Sequence, residues 1–67
     1  MNTQPILQFQ DRILTVKQVS DYLQISKSKI YYLIQRRSIP FIRLGRNVRI
    51  RQSDLIKWLN LRAEKDI

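Results

Sequence analysis

The 67-residue sequence contains no cysteine and no histidine. The lack of cysteine excludes disulfide bonds and thiolate metal sites. The lack of histidine excludes zinc fingers, histidine-based catalytic triads and histidine-ligated metalloprotease centres. No apolar run approaches the roughly 20 residues of a membrane-spanning helix, and the first residues lack the pattern of a signal peptide. These absences predict a cytoplasmic protein that needs no metal and no cofactor and does not enter a membrane.

Acidic residues are also scarce, and none of the five lies between residues 22 and 53. That window holds eight of the thirteen Lys and Arg residues, so the middle of the chain carries the whole net charge of +8. Because the five carboxylates are dispersed along the sequence, they do not suggest an acid–base pair, and no catalytic residue or enzymatic activity is expected. A folded and strongly basic domain predicts an anionic partner, with nucleic acid ahead of a membrane surface.

Three helices are predicted from the spacing of apolar residues, each with a capping residue in front of it. Thr15 opens a capping-box pattern before a helix over 16–23. Ser26 is the expected cap of a helix over 27–36. Ser53 is the expected cap of a last helix, whose apolar stripe is bordered by the single tryptophan.

Between the second and third helices the period of the sequence changes to two. Residues 42–44 and 48–51 alternate apolar and basic side chains, which predicts a hairpin with one apolar face and one basic face. Gly45, the only glycine, is expected at the tip with a positive φ. Residues 13–14 are predicted to form a further short strand. The basic face of the hairpin is predicted to carry Arg43, Arg49 and Arg51.

Together these elements predict an α+β, mainly helical fold, a winged helix-turn-helix. Residues 1–12 lack periodicity and are predicted to form a flexible N-terminal arm in front of a DNA-binding domain over 13–64. Six short stretches follow one another along the sequence in a specific order and spacing: Leu14-Thr15-Val16, Ile25-Ser26-Lys27-Ser28-Lys29-Ile30-Tyr31, Ile39-Pro40, Arg43-Leu44-Gly45-Arg46, Val48-Arg49-Ile50 and Trp58-Leu59. With these stretches, residues 13–59 resemble the small excisionase-type DNA-binding domains, relatives of the MerR-like winged helices.

The sequence departs from that family at two positions where it often has glycine. Gln24 stands in the turn between the first two helices, and Arg37 stands at the end of the second. A positive φ at Arg37 is expected to be mildly strained.

The resemblance implies sequence-specific binding of double-stranded DNA as an excisionase, or recombination directionality factor, which bends DNA near the ends of a mobile element. Its further partners would be an integrase and other copies of the chain on adjacent sites. A small prophage-type transcription regulator is the alternative. RNA binding is less favoured because the sheet offers few exposed aromatic residues for base stacking. A protein-interaction module is the remaining alternative.

The expected DNA contacts follow from how a helix-turn-helix docks, with the start of the second helix at the base edges. Base readout is predicted for Ser28, Lys29 and Tyr32, and mixed base or phosphate contact for Lys27 and Arg36. The four arginines predicted to contact DNA from the wing are Arg43, Arg46, Arg49 and Arg51.

Phosphate contact is also predicted at the start of the first helix, for Thr15 and Lys17. Some of these basic and aromatic residues have structural alternatives. For Lys17 the alternative is simple solvent exposure, and for Arg51 it is an ion pair with Asp54 instead of a DNA contact. Tyr31 and Trp58 are interpreted mainly as packing residues.

Overall fold

The computed structural model describes residues 11–64, so the predicted arm over 1–12 lies outside the described part except for its last two residues. Along these residues the elements are β1 (Ile13–Thr15), α1 (Val16–Leu23), α2 (Lys27–Gln35), β2 (Ile42–Leu44), β3 (Asn47–Arg51) and α3 (Gln52–Arg62). The strands form one antiparallel sheet in the order β1-β3-β2. The predicted α+β winged helix-turn-helix is therefore confirmed. No helix within residues 11–64 has the length and apolar character needed to cross a membrane.

Local side-chain caps start both helices of the helix-turn-helix. At α1, the Gln18 N–H donates to Thr15 Oγ1 at 3.0 Å, and the Thr15 N–H donates to Gln18 Oε1 at 2.9 Å. At α2, Ser26 Oγ accepts a hydrogen bond from the Lys29 N–H at 3.1 Å. Because each cap satisfies a backbone donor that the helix itself leaves unpaired, the predicted starts of both helices are confirmed.

Both of these helices end on a non-glycine residue in the left-handed conformation. Gln24 after α1 has a φ of 59°, and Arg37 after α2 has a φ of 55°. Past α2 the Arg37 N–H donates to the Ile34 carbonyl at 2.9 Å, and the Ser38 N–H donates to the Leu33 carbonyl at 2.8 Å. These two bonds are those of a Schellman motif. Arg37 therefore has the positive φ for which strain was predicted, and for a residue with a Cβ this conformation costs about 1–2 kcal/mol.

The hairpin has the predicted strands but a different register. Gly45 lies at the tip with a φ of 61°, as expected. Arg43 pairs with Val48, and Ile42 pairs with Arg49. The prediction that Arg43 shares a face with the other strand arginines is therefore wrong. The sequence pattern predicts a loop of three residues, whereas Asn47 belongs to β3. A loop shorter by one residue reverses which side chains share a face.

The core lies between the two helices of the helix-turn-helix, the sheet and α3. Its fully or almost fully buried residues are Val16, Val19, Ile30, Ile34, Ile39, Ile50 and Leu55. Trp58 packs against this cluster, and its Nε1–H donates to the Ser38 carbonyl at 2.6 Å. The interpretation of Trp58 as a packing residue is thus confirmed, and α2 is held with Ile30 and Ile34 inward and its polar face outward.

The start of α3 differs from the prediction, because Ser53 does not cap it. The helix begins at Gln52, and its N-cap residue makes no side-chain cap bond. Instead the Asp11 carboxylate accepts from the Ser53 N–H at 3.0 Å and from the Ser53 hydroxyl at 2.9 Å. The Arg12 carbonyl accepts from the Gln52 N–H at 2.8 Å. The cap of the last helix thus comes from Asp11 and Arg12, which precede their partners by 42 and 40 positions in the sequence.

Replacing Asp11 with alanine is expected to lower the free energy of unfolding by about 1 kcal/mol, because one half-buried backbone donor of α3 loses its acceptor. Urea denaturation followed by far-UV circular dichroism measures the change. Asp21→Ala is the matched control, since Asp21 only pairs with exposed Lys17 and such pairs contribute little. Equal effects of the two substitutions would show that Asp11 has no capping role.

Candidate nucleic-acid interface

A cleft with a volume of about 270 Å³ opens where the starts of α1 and α2 meet the wing formed by β2 and β3. Five residues predicted to contact DNA line it, and four of them are cations contributed by three different elements. They are Thr15, Lys17, Lys27, Arg46 and Arg49. We call this surface the basic cleft. Positive charge converging in a concave surface raises the local concentration of polyanions.

The α1 side of the basic cleft has polar groups that remain free to meet a ligand. Thr15 Oγ1 accepts the capping bond from Gln18, so its hydroxyl hydrogen is left to donate. Lys17 Nζ lies 3.0 Å from Asp21 Oδ2, but these two side chains are 70% and 67% exposed. Because an exposed ion pair of this kind is worth at most about 1 kcal/mol, Lys17 can exchange Asp21 for a phosphate at little cost.

The outer surface of α2 carries a second group of predicted residues. Ser28 and Tyr32 are exposed and lie opposite the buried Ile30 on the helix circumference. Lys29 Nζ lies 5.3 Å from the centroid of the Tyr32 ring, and the Arg36 guanidinium carbon lies 5.5 Å from it. Both distances are within the range of cation–π attraction. We call these four exposed residues, Ser28, Lys29, Tyr32 and Arg36, the recognition face.

Two residues of the basic cleft were missed by the sequence interpretation. Tyr31, interpreted as a packing residue, is 52% exposed and lines the cleft together with Asn47. Tyr31 follows Lys27 by four residues, so helical spacing places both side chains on the same side of α2. Asn47 was missed because it was placed in the loop. Lys27 and Tyr31 join the basic cleft to the recognition face.

Two predicted residues lie outside both surfaces. Arg51 Nη1 lies 3.3 Å from Asp54 Oδ2. The local ion pair, which the sequence offered as the alternative to a DNA contact for Arg51, is therefore present. Arg43 lies on the sheet face of Val48, and its guanidinium carbon is 5.7 Å from the centroid of the Phe41 ring. The structure therefore gathers nine of the eleven predicted residues in the basic cleft and the recognition face.

The profile of a helix-turn-helix domain family matches residues 13–62, about three quarters of the sequence. The match extends from the first residue of β1 to the last residue of α3, so it includes every element described above. The chain belongs to this helix-turn-helix family. It is a DNA-binding helix-turn-helix protein, and double-stranded DNA is its partner. No curated protein and no solved structure matches the chain significantly.

In this helix-turn-helix, α1 and α2 are the paired helices and residues 24–26 form the turn between them. The basic cleft lies where the wing approaches the pair, next to the start of α2. The family match thus covers the same part of the chain in which the cations and the exposed polar face of α2 converge.

Proposed function

We propose that the chain binds a specific sequence of double-stranded DNA and acts as an excisionase of a mobile genetic element, bending DNA and assisting an integrase. The observation that carries the proposal is the convergence of cations from α1, α2 and the wing beside an exposed polar face of α2. The resemblance of residues 13–59 to excisionase-type domains supports the more specific role.

The recognition face enters the major groove in this proposal. A helix fits the major groove of B-DNA, where each base pair presents a distinct pattern of donors and acceptors. In this proposal Ser28, Lys29 and Tyr32 meet base edges, and their position on the first two turns of α2, facing away from the core, supports that role. Lys27 at the start of α2 and Arg36 directly after its last residue contact bases or adjacent phosphates.

The basic cleft holds the DNA backbone. Arg46 and Arg49 reach a phosphate strand or the minor groove from the wing, since the planar guanidinium group can hold a phosphate through two hydrogen bonds. Thr15 and Lys17 contact phosphates from the start of α1. These contacts set the position of α2 on the duplex and contribute affinity without reading the sequence.

The exposed face of the sheet supports DNA over RNA as the partner. Within the described strands this face carries Ile13, Thr15, Ile42, Leu44, Asn47, Arg49 and Arg51, as the pairing register requires. None of these residues is aromatic, whereas proteins that read single-stranded RNA on a sheet stack bases on exposed aromatic rings. Competition between a duplex and a structured RNA of equal length tests this preference.

A DNase footprint over the DNA that flanks the gene, at physiological salt, tests the proposed role. Several adjacent protected sites in phase with the helical repeat, with hypersensitive cuts between them, are expected for an excisionase that bends DNA. A single short site over a promoter would instead identify a transcription regulator of the prophage type. Uniform weak protection would refute sequence-specific binding.

Separate alanine substitutions of Lys29 and Arg46 are expected to have different effects on specificity. Lys29→Ala should weaken the preferred site by about 1–3 kcal/mol and affect random DNA less, because a base contact is lost. Arg46→Ala should weaken both DNAs about equally, because a phosphate contact is lost. Fluorescence anisotropy with the two duplexes measures both effects. The reverse pattern would assign base readout to the wing and backbone contact to the helix.

A further inference from the structure

A second group of exposed arginines lies outside the basic cleft and the recognition face. Arg37 and Arg43 approach the same aromatic ring, each with its guanidinium carbon 5.7 Å from the centroid of Phe41. Both arginines are exposed and Phe41 is half-buried. The ion pairs found within residues 11–64 involve other cations, so no carboxylate there neutralises this pair. The shared ring holds two positive charges on one side of the molecule.

Within the Arg37–Phe41–Arg43 cluster, Arg37 lies beyond the opposite end of α2 from Lys27, which lines the basic cleft. Arg37 lies two residues past Gln35, and the stretch from Lys27 to Gln35 alone corresponds to about 12 Å of helix. The major groove is about 12 Å wide. A phosphate bound in the basic cleft near Lys27 is therefore a different phosphate from one bound by Arg37 beyond the C-terminal end of α2.

The backbone at Arg37 is the second observation. The C′ position of a Schellman motif favours glycine, because a Cβ is strained at a positive φ. Arg37 occupies that position with a φ of 55°. The residue keeps a long cationic side chain at a conformational cost to the fold. A cation at a helix C-terminus also interacts favourably with the helix dipole, so the two explanations must be separated by a measurement on DNA.

We propose that Arg37 and Arg43 form a second phosphate-binding site for duplex DNA, beyond the C-terminal end of α2. This inference rests on the proposed function, and it adds to that function a backbone contact from Arg37, which was not among the predicted DNA contacts. It also gives Arg43 a role on the sheet face where the register places it. The Phe41 ring positions both guanidinium groups, since each gains cation–π attraction from it.

The test compares Arg37→Gly with Gln24→Gly, its matched control. Both residues have a positive φ, so both substitutions relieve strain and should raise the urea midpoint. On a specific duplex, Gln24→Gly should leave affinity and salt dependence unchanged. Arg37→Gly should weaken binding about 8-fold at 0.1 M salt and make the slope of log K against log salt less negative by about 0.9, the value for one phosphate contact.

Arg43→Ala and Arg37→Asn should reproduce the loss of slope, and Arg37→Lys should largely restore it. An unchanged slope for Arg37→Gly, with wild-type binding intact, would overturn the second phosphate site and leave the proposed function standing. If the wild-type chain fails to bind the duplex, the proposed function falls and this inference falls with it. If Arg37→Gly lowers the urea midpoint, equal slopes for Arg37→Asn and Arg37→Lys would overturn the site.

Discussion

Replacing Lys27 and Arg46 together with alanine is expected to weaken binding to duplex DNA by about 60-fold at 0.1 M salt. The two side chains are exposed and line the basic cleft from opposite sides, one on α2 and one on the wing. Each phosphate contact contributes about 0.9 to the slope of log K against log salt, which corresponds to about 8-fold in affinity at 0.1 M salt. Fluorescence anisotropy titrations at several salt concentrations measure the loss of affinity and the change of slope in the same experiment.

The wild-type slope is expected to be about −5 to −6, for five to seven neutralised phosphates. The double substitution should make it less negative by about 1.8. Arg12→Ala with Lys57→Ala removes the same total charge from two exposed positions, one beside α3 and one on it, and it should change the slope little. Equal effects of the two double substitutions would mean that overall charge, and not the basic cleft, determines binding. A wild-type slope near −1 would contradict a phosphate-binding surface altogether.

The parts of the fold that depend on neighbouring residues could be predicted from the sequence. The capping box of Thr15 and the cap at Ser26 each join residues three positions apart, so the local sequence determines where each helix starts. The resemblance drew attention to Gln24 and Arg37 as positions where the family often has glycine, and both residues have a positive φ. Helical periodicity then placed the recognition face opposite Ile30.

The wrong predictions concern structural features that depend on residues distant in the sequence or on a single loop residue. Asp11 caps α3 from the other end of the described chain, and no local pattern pairs it with Ser53. Asn47 extends β3 and shortens the loop by one residue, and this alone moves Arg43 to the opposite face of the hairpin. The cation cluster on Phe41 follows from that register, so the sequence pattern could not predict it.

The position of the recognition face depends on the residue directly beneath it. Ile30 is fully buried, whereas the neighbouring Tyr31 and Tyr32 are about half exposed. Ile30→Ala is expected to lower the free energy of unfolding by about 2–5 kcal/mol, because the lost burial adds to the cost of the cavity. A domain of this size has about 3–10 kcal/mol of stability in total. A large fraction of the variant should therefore be unfolded at 37 °C, as thermal denaturation followed by circular dichroism would show.

Ile56→Ala provides the matched control, since the same atoms are removed from a side chain that is 45% exposed on α3. Its effect should be within about 0.5 kcal/mol, because surface substitutions rarely exceed that. Comparable destabilisation by both substitutions would refute the assignment of Ile30 to the core.

Duplex DNA at 100 times its dissociation constant should stabilise the Ile30→Ala variant by about 2.7 kcal/mol, because only the folded state binds. The melting temperature of the variant should therefore rise with the concentration of the specific duplex. Failure of saturating duplex to raise it would mean that the cavity under α2 also distorts the recognition face. If saturating duplex instead restores the helical circular dichroism signal of the variant, Ile30 supports binding by keeping the protein folded. The exposed side chains of α2 and the wing then make the contacts with DNA.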